Sequence, residues 1–310
     1  MGTGMPRPAL VPRPGRMVLI TAGWGACFVA IRWGLQDAPL LWFAALRSLV
    51  AGAVVLLAAV GTGWRPPPRA AWPWVLVLGL VNVALAYAAM FAGTAGVSSG
   101  VAAVLANSQP LLMVLPAWLL FRERPTRWAL AGLLLGFVGL GVAAAASGAG
   151  TAGALLSLAS SAATVVGTLI ARRLVDVDVV ALTALQFLVG GAALAAWAAA
   201  AEGAPKVAWT PQFLAVLAFI AVIGTAATNL LWFAEVRRAE LVRLTAWTML
   251  TPVFGVLLGW LLLSEAPTPR QWLGIVLVLA ALPLIQLRSP RNHPAAVTGG
   301  TSSDAVDPRS

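Results

Sequence analysis

The chain has 310 residues, 60% of them hydrophobic and only 10% charged, with a mean hydropathy of +0.91 and a net charge of +10. Soluble domains carry about 25% charged residues, so this composition excludes one. The basic excess does not read as a nucleic-acid surface, because the arginines stand one or a few at a time at the ends of apolar blocks, where they act as topology signals.

Residues 1–16 are rich in Pro and Arg and lead straight into an apolar block, which reads as a cytoplasmic segment before an uncleaved start-transfer helix. Apolar blocks of about 20 residues follow, the length that crosses a ~30 Å hydrocarbon core at ~1.5 Å per residue. Lipid offers backbone N–H and C=O groups no partner, so each block is predicted to be a helix. Ten spans are expected, near Met17–Leu35, Leu40–Val60, Trp72–Phe91, Val97–Phe121, Trp128–Ala146, Thr151–Ala171, Val180–Ala200, Pro211–Phe233, Leu241–Leu263 and Gln271–Leu287. Short connections make successive helices antiparallel neighbours.

Arginine placement sets the expected orientation. Arg7, Arg13, Arg16, Arg65, Arg69, Arg122, Arg124, Arg127, Arg172, Arg173, Arg237, Arg238, Arg243, Arg288 and Arg291 fall at the two ends and at alternate junctions. The opposite junctions hold only Lys206 and Arg270, besides the uncharged Ser147–Gly150 turn. This puts both termini in the cytoplasm, as an even number of spans requires. The tail, residues 288–310, is rich in Pro, Ser, Thr and Gly and is expected to be disordered.

An internal repeat organises the spans. Trp118, Leu119, Leu120, Glu123, Pro125 and Thr126 recur 142 residues later as Trp260, Leu261, Leu262, Glu265, Pro267 and Thr268. The same offset pairs Pro110 with Pro252, Gly132 with Gly274 and Phe91-Ala92 with Phe233-Ala234. Upstream, Ala45-Leu46-Arg47 matches Ala184-Leu185-Gln186, and Gly52 matches Gly191, at an offset of 139. Two units are expected, residues 17–146 and 151–287. Five spans in each make the second unit enter the membrane from the other side. Inverted repeats of this kind underlie alternating access in many secondary transporters. The expected fold class is an all-α integral membrane protein of the cell membrane with ten transmembrane helices in two inverted five-helix repeats.

With these features the chain resembles the EamA-type branch of the drug/metabolite transporter superfamily, over about residues 17–287. The residues that carry the likeness are Trp24-Gly25 and Phe28-Val29-Ala30-Ile31 in span one, Phe43-Ala44-Ala45-Leu46-Arg47 in span two, Pro110, and the Glu-x-Pro-Thr segments ending at Thr126 and Thr268. The resemblance implies a proton-coupled or exchanging carrier of small metabolites, often an exporter. The second copy departs from the pattern: Gln186 stands where the first copy has Arg47, and span six lacks the Trp-containing opening.

Polar residues at depth are the candidate substrate contacts. Arg47 lies about seven residues into span two, where a charge costs about 2.5–3.5 kcal/mol on insertion scales. It reads either as a contact to an anionic or carbonyl-bearing substrate or as a structural arginine bonding helix carbonyls. Asn82, Tyr87, Asn107, Gln109, Gln186, Asn229, Trp247, Thr248 and Thr251 read singly as interhelical glue. Together, Asn107 and Gln109 before Pro110, and Trp247–Thr251 before Pro252, mark two symmetry-related places where proline frees backbone carbonyls at mid-membrane. Those stretches are the expected cavity wall. Trp24 and Tyr87 could stack on a planar substrate or serve as lining.

Glu123, Thr126, Glu265 and Thr268 read as structural closures of helical hairpins, the threonines capping the next helix and the carboxylates favoured near its N-terminus. Pro269 suits the first helical position that follows. No Asp or Glu lies deep in any span. Glu235 comes closest, and its flanking Arg237 and Arg238 suggest an interfacial ion pair. The residues thus favour facilitated diffusion or exchange over carboxylate-mediated proton antiport.

Other function classes find less support. The only histidine is His293, in the tail, so no His-based metal site, Ser–His dyad or HExxH motif can form within the spans. Neither a metal nor a cofactor is expected, nor catalysis. A channel would show polar rings and oligomeric symmetry rather than an internal two-fold. Cys27, alone of its kind, reads as a small buried hydrophobe. A multidrug exporter of cationic compounds is the alternative within the superfamily. The expected partners are the lipid bilayer, a small-molecule substrate and optionally a second copy in a homodimer; nucleic acid is not among them.

Overall fold

The structure is a computed structural model of the chain and describes residues 11–60, 65–96, 108–123, 125–144, 151–263 and 268–287. Asn107, Glu265, Arg124, the Ser147–Gly150 turn and the two terminal segments lie outside these residues.

Among the described residues every regular element is a helix. The single-piece helices are α1 (Pro14–Gly34), α2 (Leu40–Val60), α4 (Gln109–Phe121), α5 (Arg127–Ala144), α6 (Thr151–Arg173), α7 (Val179–Ala201) and α10 (Pro269–Gln286). Three rods are composite. The third, α3, joins a 3-10 turn (Arg69–Ala71), an α-helix (Trp72–Leu78), a π-helical stretch (Gly79–Leu85) and an α-helix (Ala86–Gly96). Similarly, α8 joins Pro211–Ala218, a π-helical stretch Phe219–Ala227 and Thr228–Val236. In α9, Leu241–Ala246 and Leu250–Leu263 flank a 3-10 turn at Trp247–Met249. Seven of the rods are long and apolar enough to cross a membrane, while Gln109–Phe121, Arg127–Gly139 and Trp272–Gln286 are shorter apolar stretches. Sequence reasoning expects ten full spans; seven reach that length among the described residues.

Local signals explain the boundaries. The Asp178 carboxylate accepts from the Val180 and Ala181 amides (2.9 and 3.0 Å) and starts α7. Thr210 accepts from the Phe213 amide at 3.0 Å, with Pro211 in the first turn of α8. Thr126 caps α5 through the Ala129 amide at 3.0 Å, and Pro269 opens α10, both as expected. The 3-10 turn of α9 falls just before Pro252, which cannot donate to the Thr248 carbonyl four residues back.

The packing follows the repeat. Helix α2 lies against α7, and α5 against α10, each pairing equivalent helices of the two units. Exchanged pairs also match: α1 lies on α8 and α3 on α6. The π-helical stretches fall in the third helix of each unit, so the repeat extends to backbone irregularity. The outside is apolar, with Leu57 and Leu261 more than two-thirds exposed, while Thr21, Ser48, Thr183 and Gln186 are fully buried. Such a surface suits lipid rather than water.

Glycines set the closest approaches. A Cβ on Gly52 would stand 2.9 Å from the Leu188 amide nitrogen, and one on Gly191 would stand 3.0 Å from that of Leu49. The α2–α7 crossing is thus closed from both sides by matched glycines. Likewise Gly132 meets the Ala281 carbonyl and Gly139 the Gly274 carbonyl between α5 and α10. Without a hydrophobic drive between helices in lipid, such close backbone contact is what holds them together. Gly52→Leu is therefore expected to cost about 1–3 kcal/mol by overpacking. Gly141→Ala, where nothing lies within 4 Å of an added Cβ, should not destabilise. Thermal unfolding of the purified variants in detergent distinguishes them.

Candidate functional site

Seven helices bring polar side chains to one cavity. From α1 come Trp24, Cys27 and Ile31, three and four residues apart and so on one helix face. Arg47 comes from α2, and Asn82, Ala86, Tyr87 and Met90 from α3. Gln109 (α4), Ser160 and Thr164 (α6), Asn229 (α8) and Thr251 (α9) complete the lining. The walls enclose about 840 Å³, counting open space at the mouth.

Arg47 dominates the electrostatics. It is only 4% exposed, yet among the described residues no carboxylate pairs with it. Its Nε and Nη2 donate to the Thr225 hydroxyl (3.3 and 3.1 Å), and Nη2 also reaches the Tyr87 hydroxyl at 3.4 Å. The guanidinium carbon stands 4.6 Å from the Tyr87 ring centroid, a cation–π contact. Nη1 is buried and has no hydrogen-bond partner among the described residues. A hydroxyl and an aromatic face soften the burial of the charge but do not neutralise it. Among the described residues, Nη1 is therefore an unused donor.

The remaining polar groups are mostly self-satisfied. Trp24 Nε1 donates to Thr228 at 3.1 Å, and its ring lies 5.2 Å from that of Trp232. Asn229 donates to the Thr225 carbonyl at 2.9 Å. Ser160 donates to the Ala86 carbonyl at 2.8 Å and Thr164 to the Ser160 carbonyl at 3.0 Å. Cys27 is buried, as expected, with its sulfur 3.7 Å from the Gly224 carbonyl. The Thr251 hydroxyl, like Arg47 Nη1, is buried without a partner among the described residues.

Of the expected contacts, Trp24, Arg47, Asn82, Tyr87, Gln109, Asn229 and Thr251 come together at the cavity, while Gln186, Trp247 and Thr248 are not among its lining residues. Gln186 is fully buried behind Asn82, whose amide donates to its carbonyl oxygen at 3.1 Å. A Cβ on Gly167 would lie 2.4 Å from the Asn82 side-chain oxygen, so glycine there makes room for Asn82. Thr248 donates to the Thr245 carbonyl at 2.7 Å within the 3-10 turn. Cys27, Ile31, Ala86, Met90, Ser160 and Thr164 line the cavity, and Thr225 supports Arg47, without a sequence signal that singled them out. Among these, Ser160 and Thr164 were findable as a polar i, i+4 pair in an apolar span.

Away from the cavity, the arginine-rich end carries two ionic clusters. Glu235 is fully buried and pairs with Arg16 (3.2 Å) and Arg238 (3.3 Å), while the Arg13 amide donates to it at 3.3 Å. This extends the expected ion pair to α1 and leaves out Arg237, which turns to the carbonyls of Leu174 and Val177. Glu123 reaches beyond its own hairpin: it accepts from the Leu241 amide at 2.6 Å and from Arg172 at 3.4 Å. The helix N-terminus it serves is that of α9, not α5. At the opposite end, Glu202 accepts from the Leu41 and Trp42 amides (2.9 and 3.1 Å) and ties α7 to the start of α2.

Comparison with known proteins agrees with this architecture. Residues 16–144 and 151–287 each match the EamA-like transporter family. The transporter YvbV of Bacillus subtilis (strain 168) is 28% identical over 278 residues, covering 88% of this chain and 91% of YvbV. The transporter sll0355 of Synechocystis is 30% identical, with 86% and 87% of the two chains covered. Protein PecM of Dickeya dadantii (strain 3937) is 27% identical over 85% of this chain and 88% of PecM. A crystal structure sharing 21% identity superposes with a TM-score of 0.76 over 88% of this chain and 96% of that one, which establishes the fold.

Thr225 is the principal anchor of Arg47. Thr225→Val, nearly the same shape, is expected to lower stability by about 1.5–3 kcal/mol, the range for a hydrogen bond to a charged group. Thr225→Ser should retain most of it. Thermal unfolding of the two variants beside the parent tests this.

Proposed function

The chain belongs to the EamA-like transporter family, and from that premise we propose that it is a secondary carrier of a small organic solute bearing a carboxylate or a similar anionic or carbonyl group. Family and relatives set it among membrane transporters rather than enzymes. The single observation that carries the substrate class is Arg47, buried in the cavity wall with one nitrogen unpartnered and no carboxylate beside it among the described residues. An anionic oxygen on Nη1 completes that hydrogen bonding and compensates the charge. Trp24, Ile31 and Met90 supply an apolar wall for the rest of the molecule, and Asn82, Gln109, Asn229 and Thr251 offer neutral polar contacts. An amino-acid-like solute fits this pattern. A cationic compound meets Arg47 with the wrong sign, which disfavours the multidrug reading.

Alternating access is the proposed mechanism. Ten membrane crossings, both termini in the cytoplasm and inverted five-helix units would place equivalent helices on the two sides of the site. The matched crossings of α2 with α7 and of α5 with α10 support an axis about which the units exchange conformations. The proposed direction is export, on the family resemblance.

Proteoliposome counterflow with a panel of amino acids, monocarboxylates, nucleosides and quaternary ammonium compounds tests the proposal. Saturable, trans-stimulated uptake confined to carboxylate-bearing solutes is expected. Arg47→Gln, which mimics the second unit, should reduce it about tenfold or more while leaving the protein folded, from the ~1.5–3 kcal/mol of a charged hydrogen bond. Normal transport by that variant, or transport of quaternary ammonium compounds alone, contradicts the proposal.

A further inference from the structure

The chain leaves α4 through Arg122, a non-glycine residue in the left-handed region (φ 57°). Such a conformation is disfavoured for an L-residue, whose Cβ crowds the following carbonyl. Here the Arg122 amide bonds the Trp118 carbonyl (3.0 Å) and the Glu123 amide bonds the Ala117 carbonyl (3.2 Å), closing the helix end. The next side chain, Glu123, reaches away from its own hairpin. One carboxylate oxygen accepts from the first amide of α9, Leu241, and the other from Arg172 in the last turn of α6. Arg172 in turn donates to the carbonyls of Val236 and Ala239 in the turn between α8 and α9. One carboxylate therefore joins the ends of four helices.

The same four helices carry Gln109, Ser160, Thr164, Asn229 and Thr251 to the cavity. Counting from Thr164 to Arg172, from Thr251 to Leu241 and from Gln109 to Glu123, the junction lies roughly 12–21 Å along the helices from the cavity wall, at ~1.5 Å per residue. The acid at the opposite end differs. Glu202 ties α7 to α2, a pair already fixed by the matched glycines, and so sits on the static axis.

We infer that Glu123 is the latch of the gate at the arginine-rich end: its contacts to α6 and α9 are made when the cavity is shut toward that end and parted when it opens there. The inference rests on the alternating-access reading above. Burial pushes the Glu123 carboxyl up from the ordinary 4.5 to about 7; the Leu241 amide, the Arg172 charge and the Val242 amide oppose this, and Glu240 adds to it. Other charged groups at these helix ends are Arg243, 3.1 Å from Glu240, Arg237, held by the carbonyls of Leu174 and Val177, and Arg122 next in the chain. The sign follows from linkage. The shut state holds the proton more tightly than an exposed carboxyl does, so shutting takes up a proton and opening releases one. Low pH favours the shut state, and opening toward this end gains as pH rises through about 7.

The native thiol reports the gate without any substrate, because Cys27 is the chain's one cysteine and lines the cavity. The full chain is labelled with a membrane-impermeant maleimide in sealed right-side-out and inverted vesicles. The reading is the ratio of labelling from the arginine-rich face to that from the opposite face, in which the thiol's own pH response cancels. The ratio should rise by about tenfold or more between about pH 5.5 and about pH 8.5. Glu123→Ala should give a high ratio at every pH, and Glu123→Gln a flat one. Arg172→Gln, which leaves the Leu241 contact intact, should move the midpoint to higher pH. A Glu123→Ala ratio equal to the parent's, a parent-like pH response in Glu123→Gln, or an unmoved midpoint in Arg172→Gln overturns the latch alone. If no pH and no variant exposes Cys27 to the arginine-rich face, alternating access fails together with it.

Discussion

Arg47 is a permanent charge buried in a bundle that gives it a hydroxyl, a phenol and an aromatic face, and, among the described residues, no carboxylate. Taking such a charge out of water costs several kcal/mol unless partners follow it. Much of the interior reads as a response to that cost. Thr225 sits in the π-helical stretch of α8 and donates its own proton to the Ile220 carbonyl five residues back, so its lone pairs face the guanidinium. Tyr87 stands two residues past the π-helical stretch of α3. π-helical segments cluster at functional sites, where they re-aim side chains, and here they flank Arg47, the charged residue among the described cavity lining, from both units.

The surrounding architecture divides into fixed and separable parts. Glycine-lined crossings between equivalent helices bring backbones within reach of each other and offer little slack. The helix ends are joined differently, by carboxylates set on helix N-termini and by arginines set on carbonyls, contacts that can part without leaving voids in a packed core. In the proposed alternating access, the glycine-lined crossings form the stiff axis and the polar helix-end contacts the seals that part as the bundle rocks. Glu123, which reads in sequence as a simple hairpin closure, belongs to this second class. Thr126 does cap its own helix, but Glu123 serves a helix end 118 residues further along the chain.

Much of this was legible from residues alone. Helical spans follow from hydrocarbon length, and the matched glycines Gly52 and Gly191 were visible as an offset before they were visible as a crossing. Arg47 and Gln109 stood out because polar groups at depth are costly. What could not be read was determined by contacts between helices far apart in sequence. Gln186 aligned with Arg47 yet turned to Asn82, which takes it off the cavity wall. Thr225 looked like one more small residue in an apolar span until Arg47, 178 residues away, was seen to reach it. No propensity marks a π-helical stretch, since the insertion depends on what the neighbouring helix presents.

We propose that the buried guanidinium of Arg47 recognises the anionic end of a small solute. The most direct test is the thermal stability of the purified chain in detergent with matched compounds that share one apolar body and differ only in a terminal carboxylate, amide or amine. Ligands that bind the folded state raise the midpoint by mass action. A concentration-dependent rise is expected with the carboxylate, less with the amide and none with the amine. Stabilisation by the amine and not by the carboxylate would contradict it.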